Sequence, residues 1–376
     1  MTSARVPHEP ALPAGFQSPR QDALQQYGII WPLHLDLGKI LKEAALYLGT
    51  QNPPRNDEER RQLAQLGVRH VCFDPPGNPH DWSMDDLKRH RDRVDSCGLQ
   101  LDMVQLPLSS RPIEEQHSPD ILSAGPNRDR QIDSICGLIE KLREVGIPAA
   151  KYNLNIIGIP RTEPEAGRGG SRNTSFRWDK ADQGAPPTMV GILAEEENWE
   201  RIDYFLKRVV PVAESNRIRL ACHPHDPFTP PGYRGVTRVL GTVEGLKKFV
   251  TMRESPYHGL NFCQGTIAEM LDDPAAEIAD VIRWFGERKK IFNVHFRNIR
   301  GRKLSFNEVF PDEGDMDMWS SIRLYAELGY EYMLMPDHVP EISGPSPNNV
   351  AFAFCYGYIA ALLQAAADLY PGSVQR

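Results

Sequence analysis

Four residues of metal-binding types stand at the ends of four successive apolar runs in the second half of the chain. The runs read ACHPHD, NFCQG, NVHFRN and LMPDH, and they supply His223, Cys263, His295 and Asp337. If the runs are parallel strands of one barrel, their carboxyl ends open on the same face and the side chains converge there. Two imidazoles, a thiolate and a carboxylate can together bind a divalent cation. Each residue alone has a commoner structural use, but four consecutive strand ends rarely carry such types by chance.

The elements that would position these residues alternate along the chain in the pattern of a parallel α/β protein. Eight short apolar runs are each separated from the next by a stretch of helical periodicity, and eight is the number of strands that closes a (β/α)8 TIM barrel. The predicted strands are Ala45–Gly49, Val68–Phe73, Leu99–Gln105, Ala149–Ile156, Ile218–His223, Leu260–Cys263, Ile291–Phe296 and Tyr332–Met335.

Helix signals between the runs support the same fold. Ser83 with Asp86 three residues later resembles a capping box, and Gly98 ends the helix that follows. Residues 44–376 are therefore predicted to form the barrel, and residues 1–43 an arm packed on it, with a short helix at Leu35–Lys42. The segment Gly158–Pro187 is rich in Gly, Arg, Pro and Ser, and we predict a long loop after the fourth strand, over the active face.

Composition narrows the classes of function. The 376 residues carry a formal net charge of -7, which gives no broad basic field for nucleic acid. Six scattered cysteines form no CxxC pair, and no signal peptide or run of eighteen apolar residues is present. No glycine-rich nucleotide loop follows a predicted strand. We expect a cytoplasmic enzyme that acts on a small molecule, with neither nucleic-acid nor membrane partners; a homo-oligomer is compatible with the sequence.

From roughly Ala45 to Leu363, the chain resembles the mannonate dehydratase family, which are metal-dependent lyases with a xylose-isomerase-like barrel. Seven segments match family motifs in the same order, and a colinear series is more specific than any one of them. The segments are PPGNPHDWSMDDLKRHRDRVDSCGL, YNLNIIGIPRTEPE, ACHPHDP, NFCQGT, NVHFRNIR, FNEVFPDEGDMDM and MPDH.

The resemblance implies roles for particular residues. His223, Cys263, His295 and Asp337 fall where the family binds its metal, with Mn2+ the expected ion and Fe2+, Co2+ or Zn2+ as alternatives. Substrate contacts are implied for one arginine after the seventh strand and for residues of the fourth- and fifth-strand motifs. These residues are Arg297, Tyr152, Asn153, Arg161 and Asp226. The implied substrate is a sugar acid or a related sugar derivative.

Some positions depart from the family pattern. His225 replaces a family carboxylate, Met335 replaces an arginine, and Asn307 replaces a histidine. The Tyr and Arg of the family's C-terminal motif are missing from residues 350–354, and Tyr356 is a nearby candidate to replace the tyrosine. The differences leave the identity of the sugar acid open.

A dehydratase must remove a proton next to a carboxylate and expel hydroxide from the neighbouring carbon, and a positioned side chain has to move these protons. His225 is the first candidate because it lies two residues beyond His223, and His338, which follows Asp337, is the second. Tyr356 is a further catalytic candidate. Two alternative functions stay open: a metal-dependent sugar isomerase or epimerase on the same barrel, and a non-catalytic protein that binds a sugar acid.

Overall fold

The computed structural model describes residues 46–374, which form a closed barrel of eight parallel strands surrounded by helices. The barrel strands, in chain order, are β1 (Tyr47–Thr50), β2 (His70–Cys72), β3 (Gln100–Gln105), β4 (Ala149–Asn153), β7 (Arg219–His223), β8 (His258–Cys263), β9 (Ile291–His295) and β12 (Met333–Met335). Consecutive barrel strands are neighbours, and β12 closes the ring by pairing with β1. The predicted TIM barrel is confirmed, and every predicted strand overlaps an observed one.

Alternation along each strand separates the barrel interior from the helical layer. On β4, Tyr152 points outward and its ring packs 5.7 Å from that of Phe205. The opposite faces of the strands contribute small or flexible apolar side chains to the interior. This inner cluster consists of Cys72, Met103, Ala149, Ala221, Phe292, Met333 and Met335. Because this packing fills the lower barrel, only the carboxyl ends of the strands are left to form a site.

Ten α-helices occur in the described residues: α1 (Asp57–Gln65), α2 (Met84–Asp95), α3 (Pro119–Ser123), α4 (Arg128–Val145), α5 (Glu195–Asn216), α6 (Val243–Met252), α7 (Gln264–Ala268), α8 (Pro274–Glu287), α9 (Met318–Glu327) and α10 (Pro347–Leu369). The predicted capping box is present, since Ser83 accepts from the Asp86 amide and Asp86 accepts from the Ser83 amide. Asn56 caps α1 in a similar way, by accepting from the Glu59 amide.

The segment Gly158–Pro187 is not the plain loop that its composition predicts. It contains β5 (Thr162–Ala166) and β6 (Arg172–Arg177), which join a hairpin formed by β10 (Asn298–Arg302) and β11 (Ser305–Val309). The four strands form an antiparallel sheet in the order β10-β11-β6-β5. Partners supplied by the chain more than 120 residues later stabilise these strands, which explains why local composition does not reveal them.

Two further features bear on the sequence predictions. The predicted arm at residues 1–43 and its helix at Leu35–Lys42 lie outside the described residues, so the division into arm and barrel stays a prediction.

One described helix, α10, is long and apolar enough to cross a membrane by length and composition alone. It packs against β1 and β12 as the last helix of the barrel, and buried residues such as Phe352, Tyr356 and Ile359 lie along it.

Candidate metal centre

The barrel brings together the four residues that stand at its last strand ends. His223, Cys263 and His295 are the final residues of β7, β8 and β9, and Asp337 lies two residues beyond β12. One ligand atom from each residue can be chosen so that all four atoms lie within 4.8 Å of one another. Three of the four are fully buried and Asp337 is nearly so. Four groups gathered this closely are a candidate site for one cation, whose bonds to such atoms are about 2.0–2.3 Å long for zinc.

The histidine rings are oriented so that one nitrogen of each is left for a cation. His223 Nδ1 lies 2.7 Å from the Pro224 carbonyl oxygen, to which it donates, and this leaves Nε2 as the electron-pair donor. His295 Nε2 lies 3.1 Å from Gln51 Oε1. His295 Nδ1 is buried without a hydrogen-bond partner among the described residues and lies 3.3 Å from Asp337 Oδ2. An orphaned ring nitrogen aimed at a carboxylate and a thiol fits a metal ligand.

The surroundings favour the charged forms of the two anionic ligand types. Burial raises the pKa of the Cys263 thiol, but the charge of Arg297 and the hydrogen bond and charge of His295 together outweigh burial, and the net pKa is lowered. The Cys263 sulfur also lies 3.1 Å from Thr266 Oγ1 and 3.4 Å from the Thr266 amide. For Asp337, burial is outweighed by His295 and His338, which place its pKa well below the usual range. A thiolate and a carboxylate supply the negative charge that a divalent cation requires.

A polar layer beneath the four residues was not predicted from the sequence. Gln51, the residue after β1, donates from Nε2 to Asp337 Oδ1 at 2.6 Å. Its Oε1 accepts from the Lys151 ammonium at 2.6 Å. Lys151 and Asn153 occupy alternate positions of β4, opposite in direction to the outward-facing Tyr152, so strand periodicity was the available signal for Lys151. Gln51 thus connects two of the four cluster residues to a lysine.

Above the cluster lies a cavity of about 320 Å³. That volume is at the lower end of the range for small-molecule sites, roughly 300–1,000 Å³, and suits a substrate of sugar size. The cavity is lined by Gln51, Asn52, Pro53, Gln105, Ser110, Lys151, Asn153, Ile159, His223, Asp226, His295, Asp337, His338 and Phe352. Most of these side chains are polar, as expected for a ligand with many hydroxyl groups.

Beside the cavity, two arginines and three carboxylates form a buried charge network. Arg297 Nη1 lies 2.7 Å from Glu308 Oε1 and 2.9 Å from Glu269 Oε1, and Nη2 lies 3.2 Å from Asp226 Oδ2. Arg161 Nη2 lies 2.6 Å from Glu308 Oε1 and 2.5 Å from Asp226 Oδ1. The three carboxylates also meet the distance criterion for a cation site, but the guanidinium groups already lie between them. We therefore interpret the network as a structural charge cluster.

Comparison with known proteins shows what this chain is similar to. Residues 188–366 match the family model described as D-mannonate dehydratase. A curated mannonate dehydratase of Streptococcus agalactiae is 28% identical over 299 residues, which cover 72% of this chain and 82% of the relative. One of Thermotoga petrophila is 26% identical over 317 residues, covering 75% of this chain and 84% of the relative. The chain is similar to the mannonate dehydratase family.

Solved structures agree on the fold. The crystal structure of a mannonate dehydratase from Streptococcus suis superposes with a TM-score of 0.75 at 22% identity, covering 89% of this chain and 96% of that chain. A D-tagatose 3-epimerase-like protein has a TM-score of 0.54 at 16% identity, with 86% and 99% covered. At these identities the likeness concerns the fold alone. The closed eight-stranded barrel of this chain is therefore the fold that these proteins share with it.

The arginines expected to contact substrate do not line the cavity. Arg297 is 3% exposed, and its guanidinium pairs with four carboxylates, those of Asp226, Glu269, Glu308 and Asp337. Arg161 is likewise paired with Asp226 and Glu308. The strand ends at His295, so strand alternation does not extend to Arg297 and does not turn it toward the cavity. Asp226 does line the cavity, while its carboxylate is engaged by both arginines.

Two of the expected catalytic residues also lie away from the cavity. His225 Nε2 donates to the Leu154 carbonyl oxygen at 2.8 Å, and Nδ1 accepts from the Leu240 amide at 3.3 Å. Burial, together with the charge of Arg238, lowers the pKa of His225 to about 3. Both ring nitrogens are therefore committed to backbone, which corrects the expectation that His225 points at the pocket. The Tyr356 hydroxyl lies 2.7 Å from Thr50 Oγ1, outside the cavity lining.

Of the fourth-strand pair, only one residue faces the cavity. Tyr152 is fully buried against α5 and packs in the helical layer, whereas Asn153 lines the cavity. The outcome follows from the alternation of β4, because adjacent residues of a strand face opposite sides. Asn153 stays a candidate for substrate contact, and the expectation for Tyr152 is replaced by a packing role.

His338 is the expected catalytic residue that does line the cavity. Its Nδ1 lies 2.7 Å from Glu308 Oε2, and its Nε2 lies 3.8 Å from Asp337 Oδ2. Burial lowers the pKa of His338, but Asp337 and Glu308 outweigh burial and raise it to about 9. Glu308 therefore holds the ring in a fixed orientation and leaves Nε2 directed at the cavity and the cluster.

Proposed function

We propose that this protein is a metal-dependent hydro-lyase that removes water from a sugar acid. The observation that carries the proposal is the convergence of His223, Cys263, His295 and Asp337 beside a polar cavity, in a chain that is similar to the mannonate dehydratases. The curated relatives are named for action on mannonate, which is the first substrate to test. We further propose Mn2+ as the native ion, with Fe2+, Co2+ and Zn2+ as alternatives, and the cytoplasm as the location.

The four clustered residues would hold the cation. His223 would bind through Nε2, His295 through its orphaned Nδ1, Cys263 through the thiolate, and Asp337 through Oδ2, since Oδ1 accepts from Gln51. When bound, a divalent cation offers Lewis acidity toward hydroxyl and carboxylate oxygens of a substrate. Thr266 and Gln51 hold the thiolate and the carboxylate in place through hydrogen bonds, as outer groups of metal sites commonly do.

His338 is the residue that we propose for proton transfer. It lines the cavity beside Asp337, and its Nδ1 is fixed by Glu308, so Nε2 can donate a proton to the departing hydroxyl group. Asn153 and Gln105 also line the cavity, with amide groups suited to substrate hydroxyls. Phe352 and Ile159 provide apolar walls that limit water around the reacting carbons.

The decisive experiment measures metal content and products together. Purified protein is analysed for bound metals, then supplied with Mn2+ and a panel of sugar acids that includes D-mannonate, and the products are weighed by mass spectrometry. We expect one sugar acid to give a product lighter by one water. A product of unchanged mass would contradict dehydration and favour an isomerase or epimerase. Binding of a sugar acid without turnover would favour a non-catalytic protein.

Matched variants test the assigned residues. Cys263→Ala should lose most bound metal and most turnover, whereas Cys355→Ala, which removes another buried thiol from α10, should retain both. His338→Asn should keep metal content near that of the wild type while turnover falls about 100-fold or more, the usual contribution of a positioned acid or base. If His338→Asn lost the metal as well, His338 would be a ligand or a support of the site instead.

A further inference from the structure

We propose that Lys151 binds the carboxylate of the substrate and thereby makes the site selective for sugar acids over uncharged sugars. This inference rests on the proposed dehydratase function and adds a specificity-determining residue to it. The family resemblance implies a substrate contact for Arg297, but carboxylates enclose this arginine in the structure. Another cation must therefore meet an acidic substrate.

Lys151 is placed where it can meet the substrate. It lies on β4 between Gln105 of β3 and Ala221 of β7, with which it is paired in register. Lys151 lines the same cavity as His223, His295 and Asp337. Among all the lining residues, it is the single Lys or Arg. An ammonium group here faces the same space as the proposed metal ligands.

Its positive charge is not neutralised at contact distance. No carboxylate of residues 46–374 forms an ion pair with Lys151 within 4.0 Å, whereas Arg161 and Arg297 each pair with two or more. Lys151 Nζ instead donates a hydrogen bond to the neutral amide oxygen Oε1 of Gln51, at 2.6 Å. A partly buried ammonium group with a neutral partner gains most from an anionic ligand, because desolvation of the charge is then compensated.

Gln51 sets the position of the ammonium group. Its amide nitrogen donates to Asp337 Oδ1 at 2.6 Å, which fixes the amide orientation and turns Oε1 toward Lys151. The Lys151 ammonium is therefore one side chain away from a proposed metal ligand. A hydroxy acid can then place its carboxylate at Lys151 while a neighbouring hydroxyl lies over the ligand cluster. This geometry orients the carbon chain before any bond breaks.

The charges of the site agree with a monoanionic ligand. The Cys263 thiolate and the Asp337 carboxylate balance a divalent cation, and the buried network beside the cavity contains its own paired charges. His338 is a second cation on the cavity wall, but its Nδ1 already contacts Glu308 at 2.7 Å. Lys151 is the cavity-lining cation that has no carboxylate within 4.0 Å among residues 46–374, since Asp74 acts on it only from beyond contact distance. A sugar acid has one negative charge to offer it, whereas an uncharged sugar would leave the ammonium group without an ionic partner at contact distance.

The test compares Lys151→Met and Lys151→Arg with the wild type on D-mannonate and on its uncharged amide, with Mn2+ present. Lys141→Met is the control, because Lys141 on α4 is remote from the cavity and donates to the Trp82 carbonyl oxygen. We expect Lys151→Met to weaken binding of the acid about 10- to 100-fold, the usual effect of losing a charge-assisted contact. Binding of the amide should change less than about threefold, since no ionic contact is lost.

Metal content and binding are measured separately from turnover, by elemental analysis and by titration calorimetry. Lys151→Arg should recover part of the affinity for the acid, and all variants should bind Mn2+ as the wild type does. Equal losses for acid and amide, or loss of Mn2+ from Lys151→Met, would overturn the proposal, because they would show that Lys151 supports the ligand residues instead.

Failure of the proposed function gives a different result. If the wild type dehydrates no sugar acid, calorimetry with D-mannonate and D-gluconate still tests whether carboxylate binding depends on Lys151. Binding that is lost in Lys151→Met would then support the lysine inference without the dehydratase. Dehydration that proceeds in Lys151→Met with an unchanged KM for the acid would refute the lysine inference and leave the dehydratase standing.

Discussion

Glu308 joins both buried arginines to His338, so its replacement tests whether the charge network holds the site together. Its carboxylate lies 2.6 Å from Arg161 Nη2, 2.7 Å from Arg297 Nη1 and 2.7 Å from His338 Nδ1. Glu308→Gln keeps the shape of the side chain but removes the negative charge. Two guanidinium groups and an imidazole are then left with less compensation in a buried space.

The expected cost is about 3 kcal/mol of unfolding free energy. Burial alone would raise the pKa of Glu308, but Arg297, His338 and Arg161 outweigh burial and lower it from 4.5 to about 2. A pKa displacement of this size corresponds to about 3 kcal/mol of stability. Removing one partner of a buried ion pair costs a similar amount, roughly 3–5 kcal/mol. Because the folded-state pKa is lowered, this stability is complete above pH 4.5 and is lost as the pH falls toward 2.

Urea unfolding at pH 7, followed by circular dichroism, measures the difference. Glu165→Gln is the matched control, because Glu165 lies in the same antiparallel sheet and pairs with Arg177 at 2.6 Å near the surface. An exposed pair contributes at most about 1 kcal/mol, so the control should change little. Equal effects of the two substitutions, or a loss below about 1 kcal/mol for Glu308→Gln, would refute the view that the network is a main source of stability.

Three further predictions concern other parts of the molecule. Burial lowers the pKa of His258 from 6.5 to about 4. Between pH 6.5 and pH 4 the unfolded chain therefore binds a proton that the folded chain does not, and the free energy of unfolding falls as the pH drops. Between pH 7 and 5, unfolding measurements on metal-free protein should show the wild type losing about 2 kcal/mol more than His258→Gln; parallel losses would contradict this. Gly314→Ala should lower stability by about 2 kcal/mol, because a Cβ there would lie 2.1 Å from the buried Asn298 side chain. Gly137→Ala on α4 is its control, because a Cβ there would meet no other part of the protein within 4 Å. Urea unfolding should show a small gain in the free energy of unfolding for this variant. Chelation should lower the melting temperature, and added Mn2+ should restore it; at a hundredfold excess of Mn2+ over Kd, binding adds about 2.7 kcal/mol to the free energy of unfolding. Cys263→Ala should respond to neither treatment. A wild type that likewise responds to neither would argue against a bound metal.

Much of the fold is encoded locally, and the sequence therefore predicts it. The eight apolar runs have strand length, and the stretches between them have helical period and caps such as Ser83 with Asp86. In a parallel barrel the carboxyl ends of all strands meet on one face. That rule turns strand ends far apart in the chain into neighbours, which is why His223, Cys263, His295 and Asp337 could be grouped before any coordinates were known.

Features that depend on distant partners were not predictable in this way. β5 and β6 have no strong apolar alternation, and they form strands because β11 supplies hydrogen bonds from far along the chain. Lys151 and Gln51 have no metal-binding character in sequence, and their meeting at 2.6 Å depends on β1 and β4 facing each other across the barrel interior.

Residue types and strand spacing by themselves determined the barrel and the set of groups that converge at its open end, because both depend on periodicity within short segments. The tertiary structure alone decided which charged side chains pair with one another inside the protein and which face the cavity. Arg297 pairs with carboxylates and His225 bonds to backbone groups, so neither side chain lines the cavity as expected. The alternation of β4 turns Lys151 toward the cavity, and the folded chain places no carboxylate of residues 46–374 within ion-pair distance of it.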